Sequence, residues 1–120
     1  MIHFVESKEG ENMQVKQILQ LPLELINDVS CMQEIKDVYI GDLLSVVMAH
    51  GKEGTLWLTV QKHLNVVAVA QLLDFAGIVF VQGSYPDEET IQKATELQIP
   101  LLVSPKDAFA LVKDLITLGL

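Results

Sequence analysis

From residue 37 onward the chain repeats one instruction four times: a short apolar run, a turn, then a helical run. The apolar runs are "DVYI" (37–40), "TLWLTV" (55–60), "GIVFV" (77–81) and "PLLV" (100–103). Each is short and rich in β-branched, aromatic or leucine side chains, as strands are. The helical runs are "LLSVVMAH" (43–50), "NVVAVAQLLDF" (65–75), "PDEETIQKATELQ" (86–98) and "SPKDAFALVKDLITLG" (104–119). Short strands alternating with helices imply βαβ units and a parallel sheet. Three of the strands, at 55–60, 77–81 and 100–103, are nearly continuous apolar runs, which is the pattern of strands covered on both faces. The expected fold class is therefore α/β: a layered sandwich with a mostly parallel central sheet flanked by helices.

The helices carry their own end signals. In 86–98, Ile91, Ala94 and Leu97 fall on one face, with Glu88, Glu89, Gln92, Lys93 and Glu96 on the other. The last helix is expected to start with Ser104 as its cap and Pro105 in its first turn, with Asp107 favourable to the N-terminal dipole. Upstream, "VKQILQL" (15–21) reads as a short helix stopped by Pro22, "LELI" (23–26) as a strand and Asn27-Asp28 as a turn. Residues 1–12 read as a loose N-terminal extension, with a short added strand at Ile2–Val5 as the alternative, and 13–120 as a single domain.

Composition narrows the function classes. Half of the 120 residues are apolar and a fifth are charged, so the chain can bury a core and is not a disordered segment. The net charge is −8 with no basic cluster, so a phosphate backbone is repelled and no nucleic acid is expected as partner. The single cysteine, Cys31, has no internal disulfide partner and reads as a small buried or half-buried hydrophobe. His3, His50 and His63 lack ligand spacing, so no metal site is expected. The N-terminus has no signal-peptide pattern, and no apolar run reaches the ~20 residues that span a bilayer. These features lead to an expected cytoplasmic location with no membrane contact.

One stretch stands apart from the oily background. "LTVQKHLNVVAVA" (58–70) joins a strand to a helix, with Thr59, Gln61, His63 and Asn65 polar at every second position. In open α/β sheets, ligands bind outside the carboxyl ends of the strands. Strand 37–40 delivers Gly41, Asp42 and Ser45 to that edge, and 55–60 delivers Gln61, His63 and Asn65. Strand 77–81 delivers Gln82, Gly83, Ser84 and Tyr85, and 100–103 delivers Ser104. Each residue also has a plain structural reading. Asp42 and Asn65 are helix caps in that reading, His63 is a satisfied structural histidine, and Thr59 and Gln61 tie loops together. A meeting of Asp42 with His63 across the edge, where a carboxylate would orient the imidazole, is the alternative to the preferred reading of Asp42 as a helix cap. "GKEGT" (51–55) lacks the spacing and the following helix of a phosphate loop, so no kinase or ATPase activity is expected. Helices 43–50 and 65–75 are too apolar to face water on any side. A homodimer is expected to bury one of them, 43–50 before 65–75.

The stretches "GDLLSVVM", "LWLTVQKHLNVVAVA", "AGIVFVQG" and "PLLVS" resemble a small stand-alone DRTGG-domain protein, over about residues 13–120. No literal D-R-T-G-G string is present. The resemblance implies an α/β layered fold similar to the N-terminal domain of HPr kinase/phosphorylase, a domain also found beside CBS domains and in phosphotransacetylases. It implies a regulatory or ligand-sensing module, often dimeric. It does not imply kinase chemistry, because the phosphate loop belongs to another domain. The positions matching the family's polar pattern are Asp42, Ser45, Thr59, Gln61, His63 and Asn65, with no catalytic role attached to them. The expected function is thus a non-enzymatic regulatory module that binds a small molecule, a nucleotide or another anion, around Asp42 and 61–65. The alternatives are an interaction module that pairs with itself or with a partner enzyme, and a small enzyme using His63 as acid and base.

Overall fold

Every residue of Thr55–Thr59 (β3), Gly77–Phe80 (β4) and Leu101–Val103 (β5) is buried. Strands hidden this completely need a layer on each face, and the chain supplies both. The computed structural model describes residues 13–120; the expectations for residues 1–12 and Ile2–Val5 lie outside the described residues. Within it, β3, β4 and β5 form the centre of a five-stranded sheet, with Asp37–Ile40 (β2) beyond β3 and Glu24–Leu25 (β1) beyond β5. β2, β3, β4 and β5 are mutually parallel and lie side by side in chain order, while β1 runs antiparallel to β5. The expected α/β sandwich with a mostly parallel sheet is what the chain forms.

Crossovers between parallel strands are right-handed, so sequential strands place their helices on one face. Leu44–His50 (α2), Asn65–Leu72 (α3) and Glu88–Glu96 (α4) accordingly pack together. Val47, Val66, Val67, Val69, Ala70 and Ala94 meet Trp57, Ile78, Phe80, Leu101 and Val103 from the sheet. The opposite face carries Val15–Ile18 (α1) and Ala108–Leu118 (α5), through Val15, Ile18, Leu111 and Leu115 against Leu56, Leu58, Val79, Val81 and Leu102. Each fully buried side chain of this kind contributes ~1.5–3 kcal/mol of transfer free energy. Trp57 also anchors geometry. Its ring meets Phe75 edge-on at 5.8 Å, and its Nε1 donates to the Gly41 carbonyl at 2.8 Å.

The helix starts differ from expectation, for local reasons. Ser104 does not cap α5. Its backbone N–H donates to the Phe80 carbonyl at 2.9 Å, which prolongs the β5 ladder and keeps the residue extended. The cap is Asp107, whose carboxylate accepts from the Ala110 amide at 2.8 Å, and Pro105 stays outside the helix. Asn65 is the first helical residue behind Leu64, so its side chain is not at the cap position. The flanking position of α2 is Leu43, and the Asp42 carboxylate is engaged elsewhere. The helix expected over 15–21 is a single turn, Val15–Ile18. Among the described residues, no helix is long and apolar enough to cross a membrane.

Asn27, expected as a turn residue, is a buried strut. Its Nδ2 donates to the Ile99 carbonyl and its Oδ1 accepts from the Leu101 amide, both at 2.9 Å. The side chain thus continues the β1–β5 ladder past the end of a two-residue strand. An unsatisfied buried backbone group costs ~1–3 kcal/mol. Asn27→Ala strands two of them, so the expected loss is about 2–4 kcal/mol, read as a lowered urea midpoint with an unchanged m-value.

Candidate functional site

The parallel order brings the carboxyl ends of β2 and β3 side by side, and the polar junction forms there. The Trp57 bond to the Gly41 carbonyl fixes where the chain leaves β2. Asp42 then turns back toward β3. Its Oδ1 accepts from the Thr59 hydroxyl at 2.8 Å and from the Val60 amide at 2.9 Å. Gln61 completes the knot: its Nε2 donates to the Asp42 carbonyl at 2.6 Å, and its backbone N–H donates to Thr59 Oγ1 at 3.1 Å. Asp42, Thr59 and Gln61 therefore form one network whose members satisfy each other. Thr59 lies buried beneath it.

His63 faces away from this knot. Its Nδ1 lies 2.7 Å from Oδ2 of Asp87, the residue that precedes α4, so the alternative in which Asp42 meets His63 does not occur. The reason is the direction of the loop. The Lys62 carbonyl accepts from the Asp87 amide at 3.1 Å and from the Thr90 hydroxyl at 3.0 Å, which pulls residues 62–63 toward α4. Both side chains of the His63–Asp87 pair are well exposed, so the pair adds at most ~1 kcal/mol. Ser45 and Asn65 are exposed, and neither side chain has a hydrogen-bond partner among the described residues. The six candidates thus divide three ways: Asp42, Thr59 and Gln61 are bound to one another, His63 is bound to Asp87, and Ser45 and Asn65 are unpartnered. Asp87 was legible only as a helix start, and nothing in its spacing signalled a histidine partner.

This geometry gives a loop pinned from two sides, by the β2 exit and by the start of α4. Such a frame can present exposed polar groups in fixed positions. Among the described residues, no cluster of three or more His, Cys, Asp or Glu side chains is arranged to hold a metal ion. A cavity of about 580 Å³ lies elsewhere, lined by Asp37 and Val38 of β2 and by Leu115 and Ile116 of α5. It opens at the amino end of β2, opposite to the edge where such sheets bind ligands.

No protein-family description matches this chain, and no curated protein matches it. A solved structure does. The chain is similar in fold to the CBS and DRTGG domains of the regulatory region of Clostridium perfringens pyrophosphatase, a structure complexed with the activator diadenosine tetraphosphate. The TM-score is 0.65 at 16% identity, over 94% of this chain and 49% of that one. The chain spans about half the length of that region. At this identity the likeness is one of fold.

The Asp42 network separates shape from charge. Asp42→Asn keeps an oxygen that can accept from Thr59 and Val60, and should cost under about 1 kcal/mol. Asp42→Ala removes both acceptors and should cost about 1–3 kcal/mol. Chemical denaturation of the two variants checks the order.

Proposed function

We propose that this chain is a regulatory, ligand-sensing module that reads a small molecule at the carboxyl edge of its sheet. The observation that carries the reading is the pinned 59–65 loop. Asp42, Thr59 and Gln61 act as its frame, Ser45 and Asn65 are the side chains left to meet a ligand, and His63 stands exposed beside them, held by Asp87. The fold it shares with part of an enzyme's regulatory region supports a sensing role over a catalytic one. So does the closed knot. A carboxylate already accepting two hydrogen bonds, and a threonine hydroxyl already used as donor and acceptor, are committed to structure. The ligand class favoured here is a nucleotide or another anion, met by the exposed imidazole of His63.

A second reading concerns assembly, and α2 favours it. Only Val47 of this helix is buried; Leu43 before it is 65% exposed, with Val46 and Met48 open and Ile40 of β2 exposed beside them. α3 buries four of its residues and leaves Leu72 outward, so α2 is the better dimer face. Apolar surface gathered this way is covered in a homodimer, or by a partner enzyme that the module controls.

Two measurements test these readings. In a thermal-shift screen of nucleotides and phosphorylated metabolites, a ligand should raise the melting temperature. His63→Ala should reduce that rise while moving the ligand-free value by less than about 3 °C. A screen without any shift removes the sensing role. Light scattering at micromolar concentration should give a dimer that Leu43→Glu converts to monomer; a wild-type monomer removes the dimer.

A further inference from the structure

The carboxyl edge has a second half, and topology singles it out. α4, which follows β4, packs on one face of the sheet with Ala94, whereas α5, which follows β5, packs on the other with Leu111 and Leu115. β4 and β5 are neighbours. Their connections therefore leave the same edge in opposite directions. That is a switch point, and a crevice outside the strand ends is the expected ligand position in such sheets. The neighbouring strands β2, β3 and β4 offer no such point, because α2, α3 and α4 share a face.

A crevice of about 410 Å³ stands at this position. Pro22, Leu23, Val103 and Pro105 form apolar walls, and Tyr85 and Glu24 form the polar rim. Gly83 lines it too, and a Cβ there would meet no atom within 4 Å. The walls are firmly built. Beyond the strands, the Gln82 amide donates to the Lys106 carbonyl at 2.9 Å and the Gly83 amide to the Ser104 carbonyl at 2.8 Å. Gln82 and Gly83 both hold positive φ, at 59° and 69°, to make this closure. For Gln82 that conformation is a standing cost, of the kind found where a site fixes the backbone. The rim is a donor–acceptor pair. The Tyr85 hydroxyl donates to the Glu24 carboxylate, and that bond is the main cause of a hydroxyl pKa pushed above its ordinary value. Tyr85 is 49% exposed, so its ring can be met from solvent.

We propose that this crevice binds an uncharged purine nucleoside, its base lying against the Tyr85 ring and the proline walls and its amino edge donating to Glu24. The volume lies within the range of small-molecule sites. A flat ring matches an aromatic and two proline rings, and a carboxylate accepts from an exocyclic amine as it accepts from the tyrosine. Charge sets the rest. A carboxylate at the mouth of a chain with net charge −8 repels phosphate. The nearby cation, Lys106, is held by Asp114 at 2.6 Å. This assignment rests on the ligand-sensing reading above and names a different stretch of the same edge.

The test uses the full chain, isotope-labelled, titrated with adenosine and separately with its 5′-monophosphate. Adenosine should shift the amides of Gly83, Tyr85, Val103 and Lys106 in a saturable way. Tyr85→Ala should weaken it about tenfold or more through lost stacking, and Glu24→Gln should weaken it severalfold. The monophosphate should bind more weakly, with the gap narrowing as salt is raised. Both variants lie at exposed positions, and their melting temperatures check that the fold is intact. Shifts confined to residues 42 and 61–65, unaffected by Tyr85→Ala, would overturn this assignment while supporting the broader reading. Tighter binding of the monophosphate at low salt, or no saturable shift by adenosine at millimolar concentration, would also overturn it. In the second case the broader reading still stands or falls by the ligand screen.

Discussion

The hand of the crossovers governs this structure. Four parallel strands in chain order require three connections of one hand, and those connections can only fill one face. The face they fill is thick, built of α2, α3 and α4 over Trp57, Ile78 and Phe80. The other face would be bare, yet Leu56, Leu58, Val79 and Leu102 point into it. Among the described residues, α1 from before the sheet and α5 from after it are what cover these residues. α5 must therefore take the face opposite to the one that α2, α3 and α4 fill. That change of face, forced by the need to bury one sheet face, is also what opens a crevice between the β4 and β5 loops.

The two halves of the carboxyl edge end up chemically opposed. At β2 and β3, polar side chains are abundant and spend most of their capacity on one another. A satisfied network of this kind stabilises and positions a loop, and any ligand displacing it must replace the bonds it breaks. At β4 and β5, backbone groups close the loops and the side chains around the space are mostly apolar. Displacing loosely held water from such a surface favours binding, and one carboxylate is enough to orient a ligand. Density of polar residues in sequence is thus a poor guide to where an edge is open.

Much of the fold was legible because burial leaves a direct trace in composition. Strand 37–40 has the bounds read from sequence, and β3, β4 and β5 differ from their expected runs by a residue each. The inward set of α4 was equally plain, since Ala94 is buried and Ile91 and Leu97 pack against the core. What failed were decisions between equivalent local partners. Ser104 and Asp107 can both cap a helix, and only the Phe80 carbonyl across the sheet decides that Ser104 stays extended. Asn27 suits a turn in isolation, and its role as a strut depends on Ile99 and Leu101, more than 70 positions away in the chain. At the candidate site, the presence of polar groups at 59–65 was visible. Their directions were not, because Asp42 and Asp87 are equally good carboxylates and the pull of Lys62 toward α4 is a tertiary fact. Strand order, which defines the switch point, has no local signature at all.

Among the described residues no strand pairs with the outer side of β2, which shows how the same chain treats an edge strand. An unpaired strand edge invites pairing by other chains, and charge is a common way to blunt it. Here the blunting is uneven. At its amino end, Lys52 lies 3.9 Å from Asp37, and Lys36 just before the strand pairs with Glu53 at 3.4 Å. At its carboxyl end, Ile40 is 51% exposed and leads into Leu43 and Val46 of the α2 approach. A strand added along the whole of β2 would have to desolvate the charged end, whereas a contact at Ile40, Leu43 and Val46 desolvates apolar atoms only. For any partner of this edge, the gradient favours a helix-face contact over sheet extension. The apolar end of this edge lies beside the Asp42 knot, so a partner on the α2 face would meet the segment that holds the 59–65 loop in place.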